Sequence, residues 1–199
     1  MAGKELINLA RKAVEIYLKE GKKILPPENF PEEFLKNKAG VFVSLHKVKN
    51  GKEFLRGCIG TYLPTKENIA QETIENAILA ATEDTRFEPV KLEELPQIVF
   101  TIYILTQPCL VEDLKELDPK KFGIIVKSLP IKYEAVKDEE VIFNGFLPEK
   151  TGVLLPDLEG INTIEDQILI ACQKAGIDPF SEDFLIYKFE VQKLKENEN

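Results

Sequence analysis

The chain has 199 residues, of which 44% are apolar, and 34 Asp and Glu against 26 Lys and Arg give a net charge of −8 and a pI near 5.0. That length suits one large domain or two small subdomains sharing a core, and the apolar share can fill a sizeable interior. The acidic balance opposes general nucleic-acid binding, which needs a positive footprint.

Three cysteines, Cys58, Cys109 and Cys172, lie far apart, form no Cys-x-x-Cys pair and share the chain with one histidine, His46. The sequence therefore indicates neither a zinc or iron–sulfur site nor a disulfide framework, and no metal or cofactor is expected. With no disulfide framework indicated, a reducing cytosol is the expected setting. The N-terminus lacks the pattern of a signal peptide, and no apolar run approaches the ~18 residues of a membrane-spanning helix. A soluble, cytoplasmic protein is the expectation.

In chain order, Lys4 to about Lys19 reads as an amphipathic helix, with Leu6, Leu9, Ala10, Ala13, Val14, Tyr17 and Leu18 on one face and Gly21 as its left-handed cap. Pro26, Pro27 and Pro31 force an irregular crossing. Val41–Tyr62 reads as a hairpin around Asn50-Gly51, the pair that supplies the two positive φ angles of a type I′ turn. A two-residue turn there sets Lys49 opposite Lys52 and Val43 opposite Cys58. In that register His46 and Cys58 project to opposite faces, unless a bulge near Gly57 shifts the pairing by one. Thr65 is a suitable N-cap for a helix buried through Ile69, Thr73, Ala77 and Ala80, which ends in Glu83-Asp84-Thr85-Arg86-Phe87.

Ile98–Leu105 is a strong strand, and Cys109 beyond it reads as an inert thiol at a loop edge. A short helical turn at Leu114 and Leu117 leads to a strand over Phe122–Lys127. Ile131–Val136 and Val141–Phe146 can pair around the acidic turn Asp138-Glu139-Glu140, and Gly152–Pro156 closes this strand-rich section. Thr163 caps a helix ended by Gly176, with Cys172 in its core face. Leu185, Tyr187, Phe189 and Val191 alternate as a final half-exposed strand. Short hairpins with interspersed helices favour α+β with mostly antiparallel sheet.

Everything else frames Leu55-Arg56-Gly57-Cys58-Ile59-Gly60. Paired glycines imply a bulge, a sharp bend or a close backbone approach, and such geometry can gather N–H groups into an anion-binding concavity. A thiol beside a guanidinium and such N–H groups ionises more readily, and the thiolate is the reactive form. The same cysteine also fits as a small apolar residue of a sheet core.

The hexapeptide, the preceding Gly40–His46 and the later Glu83–Phe87 together resemble the AMMECR domain family, named from a human syndrome of Alport nephropathy, midface hypoplasia and elliptocytosis. The resemblance continues through Glu94-Leu95-Pro96, Phe122–Val126, Gly152–Pro156 and Ile186–Glu190, and so covers nearly the whole chain. It implies a single α+β AMMECR domain over 1–199 with flanking helices and two subdomains, the smaller inside about 108–160. It implies no established activity. It also implies neighbours, since microbial members are often encoded beside, or fused to, a Memo-like protein and a radical SAM enzyme, which suggests a shared modification pathway. Thr85 departs from the proline common there, and Leu129–Lys150 is longer than in compact members.

Two functional expectations follow. In the first, Cys58 is a nucleophile or covalent acceptor, Arg56, Arg86 and the Gly57/Gly60 backbone bind an anionic group, and Asp84 or Glu83 orients the site or takes a proton. In the second, the glycine-rich turn builds a groove for a protein or small ligand, and the sulfur is dispensable. RNA binding through Lys47, Lys49, Lys52 and Arg56 rests on that basic loop alone.

Overall fold

In a computed structural model, residues 2–130, 132–137, 140–146 and 148–196 are described. The chain is mixed helix and antiparallel sheet, and it divides into two compact units, Met1–Gln107 with Gln192–Asn199, and Pro108–Val191.

The first unit begins with α1 (Ala2–Glu20) and the short α2 (Glu32–Lys36). The hairpin of β1 (Val41–Lys49) and β2 (Lys52–Thr61) follows, then α3 (Ile69–Thr82) and β3 (Ile98–Leu105). One face of this sheet carries Val41, Val43 and Leu45, each fully buried, with Phe100 and Ile102 across from them. They pack in one core with Leu6, Ala10, Ala13 and Val14 of α1 and Ile74, Ala77 and Ile78 of α3. Helical spacing on the helices and alternation on the strands present apolar stripes that can only be buried against each other.

The second unit carries β4 (Cys109–Leu110), β5 (Gly123–Ser128), β6 (Lys132–Lys137), β7 (Glu140–Phe146), β8 (Thr151–Leu154), α4 (Ile164–Ala175) and β9 (Phe184–Phe189). Its sheet runs β4-β9-β5-β8, and β6 pairs with β7 as a separate hairpin. Asp138 and Glu139 of the expected acidic turn lie outside the described residues. Thr163 caps α4 through Asp166 N, and Gly176 ends it at φ 69°. Cys172 is fully buried, and that burial pushes its thiol pKa up.

The final apolar stretch is two strands rather than one. After β9, β10 (Val191–Lys195) joins the other sheet, giving the order β10-β3-β1-β2. Glu196 fixes this end: its carboxylate accepts from Arg11 Nε at 2.8 Å and from Phe100 N at 3.1 Å.

Candidate functional site

β2 is an edge strand, and its register differs from the one the turn alone predicts. Lys49 stands opposite Lys52 and His46 opposite Leu55, but Leu45 then faces Gly57 and Ser44 faces Cys58. Arg56 is the extra residue of a bulge. The register is pinned at both ends, which is why the bulge exists. Asn50 and Gly51 adopt the left-handed angles of the tight turn, φ 52° and 73°. At the other end a Cβ on Gly57 would lie 2.0 Å from Ala80 O, so only glycine lets α3 rest on the strand there. One residue too many lies between these fixed points.

The bulge moves Cys58 off the face of Val43 and onto that of Ser44, His46 and Thr101. The expectation that His46 and Cys58 occupy opposite faces is thereby corrected: they share one, in diagonal positions, where Cα atoms are typically about 7–8 Å apart. His46 Nδ1 is buried and has no hydrogen-bond partner among the described residues, and burial lowers the imidazole pKa.

The glycines serve close approach, not unusual dihedrals. Neither Gly57 nor Gly60 has positive φ. A Cβ on Gly60 would meet the Phe42 ring at 2.2 Å, and one on Gly40 would meet the Tyr62 carbonyl at 2.6 Å.

The anion that the hexapeptide's backbone binds is a carboxylate of the chain itself. Asp84 Oδ2 accepts from Cys58 N at 2.8 Å, and Arg86 holds the same carboxylate through Nε at 2.9 Å and Nη2 at 2.6 Å. Arg86 Nη2 also reaches Cys58 O at 3.4 Å, so the pair satisfies both outward backbone groups of Cys58 on the edge strand. The Arg86 side-chain hydrogen bond, with help from the Cys58 and Arg86 N–H groups, overcomes burial and holds the Asp84 pKa at about 2. Asp84 is therefore a poor proton acceptor near neutrality. Asp84 also raises the Arg86 pKa, chiefly by hydrogen bonding, and an ionised Cys58 would add an attraction of the same sign. Arg86 keeps 55% of its side chain exposed. Glu83 is exposed and caps α3 through its N–H to Leu79 O.

Arg56 faces elsewhere. Its guanidinium donates to Glu94 through Nη2 at 2.9 Å and Nε at 3.2 Å, to Glu88 O at 2.8 Å and to Pro89 O at 3.3 Å. Lys47 joins the same Glu94 at 2.7 Å. Arg56 and, less strongly, Lys47 hold the Glu94 pKa at about 2 against the opposing effect of burial. Arg56 thus anchors its bulge.

A second carboxylate, missed in the sequence, shapes the exit from the hexapeptide. Glu72, 1% exposed, accepts from Thr61 Oγ1 at 2.7 Å, Thr65 N at 2.7 Å, Lys66 N at 2.8 Å and Thr65 Oγ1 at 2.9 Å. Burial is the largest single influence and pushes its pKa up, but these donors together lower it. Thr65 is spent here, and Asn68 takes the N-cap of α3. The available signal was an acid at helical spacing inside an apolar stripe, with two threonines just upstream.

A family model described as AMMECR1 matches residues 7–194. The chain belongs to the AMMECR1 family. A Thermotoga maritima protein is 46% identical over 189 residues, covering 95% of this chain and 96% of its own. In Clostridium acetobutylicum, protein CA_C1420 is 42% identical over 96% of this chain, which spans only 36% of that protein. The crystal structure of Pyrococcus horikoshii PH0010 superposes with a TM-score of 0.79 at 34% identity, covering 98% of this chain and 92% of that one. Among the described residues of this AMMECR1 domain, no helix is long and apolar enough to cross a membrane.

Proposed function

We propose that this AMMECR1 domain carries a cysteine-centred site in which Cys58 is the nucleophile or covalent acceptor and Arg86, not Arg56, is the cation beside it. The observation that carries the reading is geometric: the half-exposed Arg86 guanidinium reaches the Cys58 carbonyl at 3.4 Å, which sets a cation beside a partly exposed thiol at the strand edge. A guanidinium there favours the thiolate and would meet an anionic handle on an electrophilic substrate. Asp84 holds Arg86 in place and takes no proton. A modification pathway with Memo-like and radical SAM proteins is the setting this chemistry would suit.

The test is alkylation of the native protein by iodoacetamide near neutral pH, resolved by peptide because Cys109 is also exposed. Cys58 should react faster than a free model thiol, and Arg86→Ala should slow it. Labelling slower than the model thiol would sink nucleophilic catalysis.

A second reading, a binding module with no role for the sulfur, is favoured by one fact. Gly57, Gly60, Arg56 and Asp84 are each already engaged in holding the strand. Under that reading Cys58→Ala retains full function in cells, whereas the first reading requires its loss.

A further inference from the structure

The net charge of −8 is confined to one unit. Met1–Gln107 with Gln192–Asn199 contains 17 acidic and 17 basic residues, whereas Pro108–Val191 contains 17 acidic and nine basic. Within this acidic unit, Phe180 is 88% exposed, and no other large apolar side chain among the described residues is as exposed.

The loop that displays it is built, not slack. Asp178 Oδ1 accepts from Phe180 N at 3.0 Å and Asp178 Oδ2 from Ser181 Oγ at 2.6 Å. Glu182 Oε1 accepts from Asp178 N at 2.9 Å, and its other oxygen meets Lys150 at 2.6 Å. Ser181 and the Phe180 N–H lower the pKa of Asp178, and Lys150 lowers that of Glu182, so both are ionised near neutrality. The neighbouring Asp183 is exposed and has no ion-pair partner among the described residues. An ordered turn that holds an aromatic ring in water has already met the ordering cost a binding loop otherwise incurs.

We propose that the 177–183 loop is a docking element, with Phe180 as an aromatic anchor, for a basic protein surface containing an apolar socket. Aromatic side chains are enriched at interface centres, and the net negative field around the anchor, Asp178, Glu182 and Asp183 against Lys150, selects the partner's charge and speeds encounter. The sign of the field chooses the occupant. Nucleic acid and anionic membrane are repelled, and so is a second copy bearing the same acidic unit.

The probes are three labelled peptides read by fluorescence anisotropy against the full chain: one alternating Lys and Leu, an oligolysine of equal charge, and one alternating Glu and Leu. The Lys/Leu peptide should bind most tightly and weaken as salt rises. Phe180→Ala should cost it roughly tenfold in affinity, leave oligolysine unchanged and leave the melting temperature unmoved, while Phe180→Tyr retains the preference. Asp183→Lys should weaken both basic peptides. Equal binding of Lys/Leu and oligolysine, Phe180→Ala within twofold of the parent, or binding of the Glu/Leu peptide would overturn the proposal.

Discussion

Replacing Asp84 with Asn keeps the shape of the side chain and removes the charge on which the strand edge closes. Asp84 is 5% exposed at its side chain and its pKa is held at about 2 rather than 3.8. A difference of nearly two units corresponds to about 2 kcal/mol of folding free energy. That figure is an upper value, because the partner Arg86 is half in water and solvent screens the pair. The amide also turns an N–H toward one of two existing donors, Cys58 N or Arg86, which adds about 1 kcal/mol or more. At pH 7, Asp84→Asn should therefore lose about 2–3 kcal/mol in urea unfolding. Because the folded pKa is depressed, the ionic share is fully present above the unfolded value near 3.8 and disappears as pH falls toward 2. The gap between parent and variant should narrow over that window, leaving only the amide's share. A gap constant from pH 7 to pH 2 would refute the ionic account, and a gap near zero at pH 7 would refute the clasp itself.

Gly57→Ala should cost about 2 kcal/mol or more by thermal denaturation, since its Cβ meets a helix carbonyl, and Gly60→Ala a similar amount, because its Cβ meets not only the Phe42 ring but Phe42 Cα at 2.6 Å, which is backbone. A Gly57→Ala cost near zero would show that contact with α3 does not set the strand's position. Arg56→Ala should lower stability by about 2 kcal/mol at pH 7, with a penalty that shrinks below pH 4.5 as Glu94, held at about 2, becomes protonated. An unmoved melting temperature would return Arg56 to the role of a free anion binder. Glu72→Gln, which sets an amide among backbone and hydroxyl donors, should cost about 2–3 kcal/mol and loosen Thr61–Lys66, read as faster amide exchange at Thr65 and Lys66. Unchanged protection there would mean that the loop is held by something other than its carboxylate.

The site was legible where the signal was local. Asn50-Gly51 announced the hairpin, the glycines announced a close approach, and Glu83–Phe87 announced a polar group that does reach Cys58. The partners of each group were not legible. Nothing near Arg56 in sequence names Glu94, 38 residues away, and Glu72 reads as one more charge at a helix start unless its place inside an apolar stripe is weighed together with the two threonines upstream.

By itself the sequence determined the types of the longer elements, because 3.6- and 2-residue periodicities survive without knowledge of neighbours, whereas α2 and β4, too short to show a period, fall in stretches that read as irregular crossing and loop edge. It determined the turn at Asn50-Gly51, the caps at Thr163 and Gly176, and the apolar stripes that must meet. Tertiary structure decided which face Cys58 occupies, since that depends on α3 resting at Gly57 while the turn fixes the other end, and one surplus residue reverses every side chain beyond it. It also decided that the last apolar stretch splits at Glu190, with β9 and β10 joining different sheets. Alternation says that a strand has two faces; only the packed chain supplies the neighbours that tell them apart.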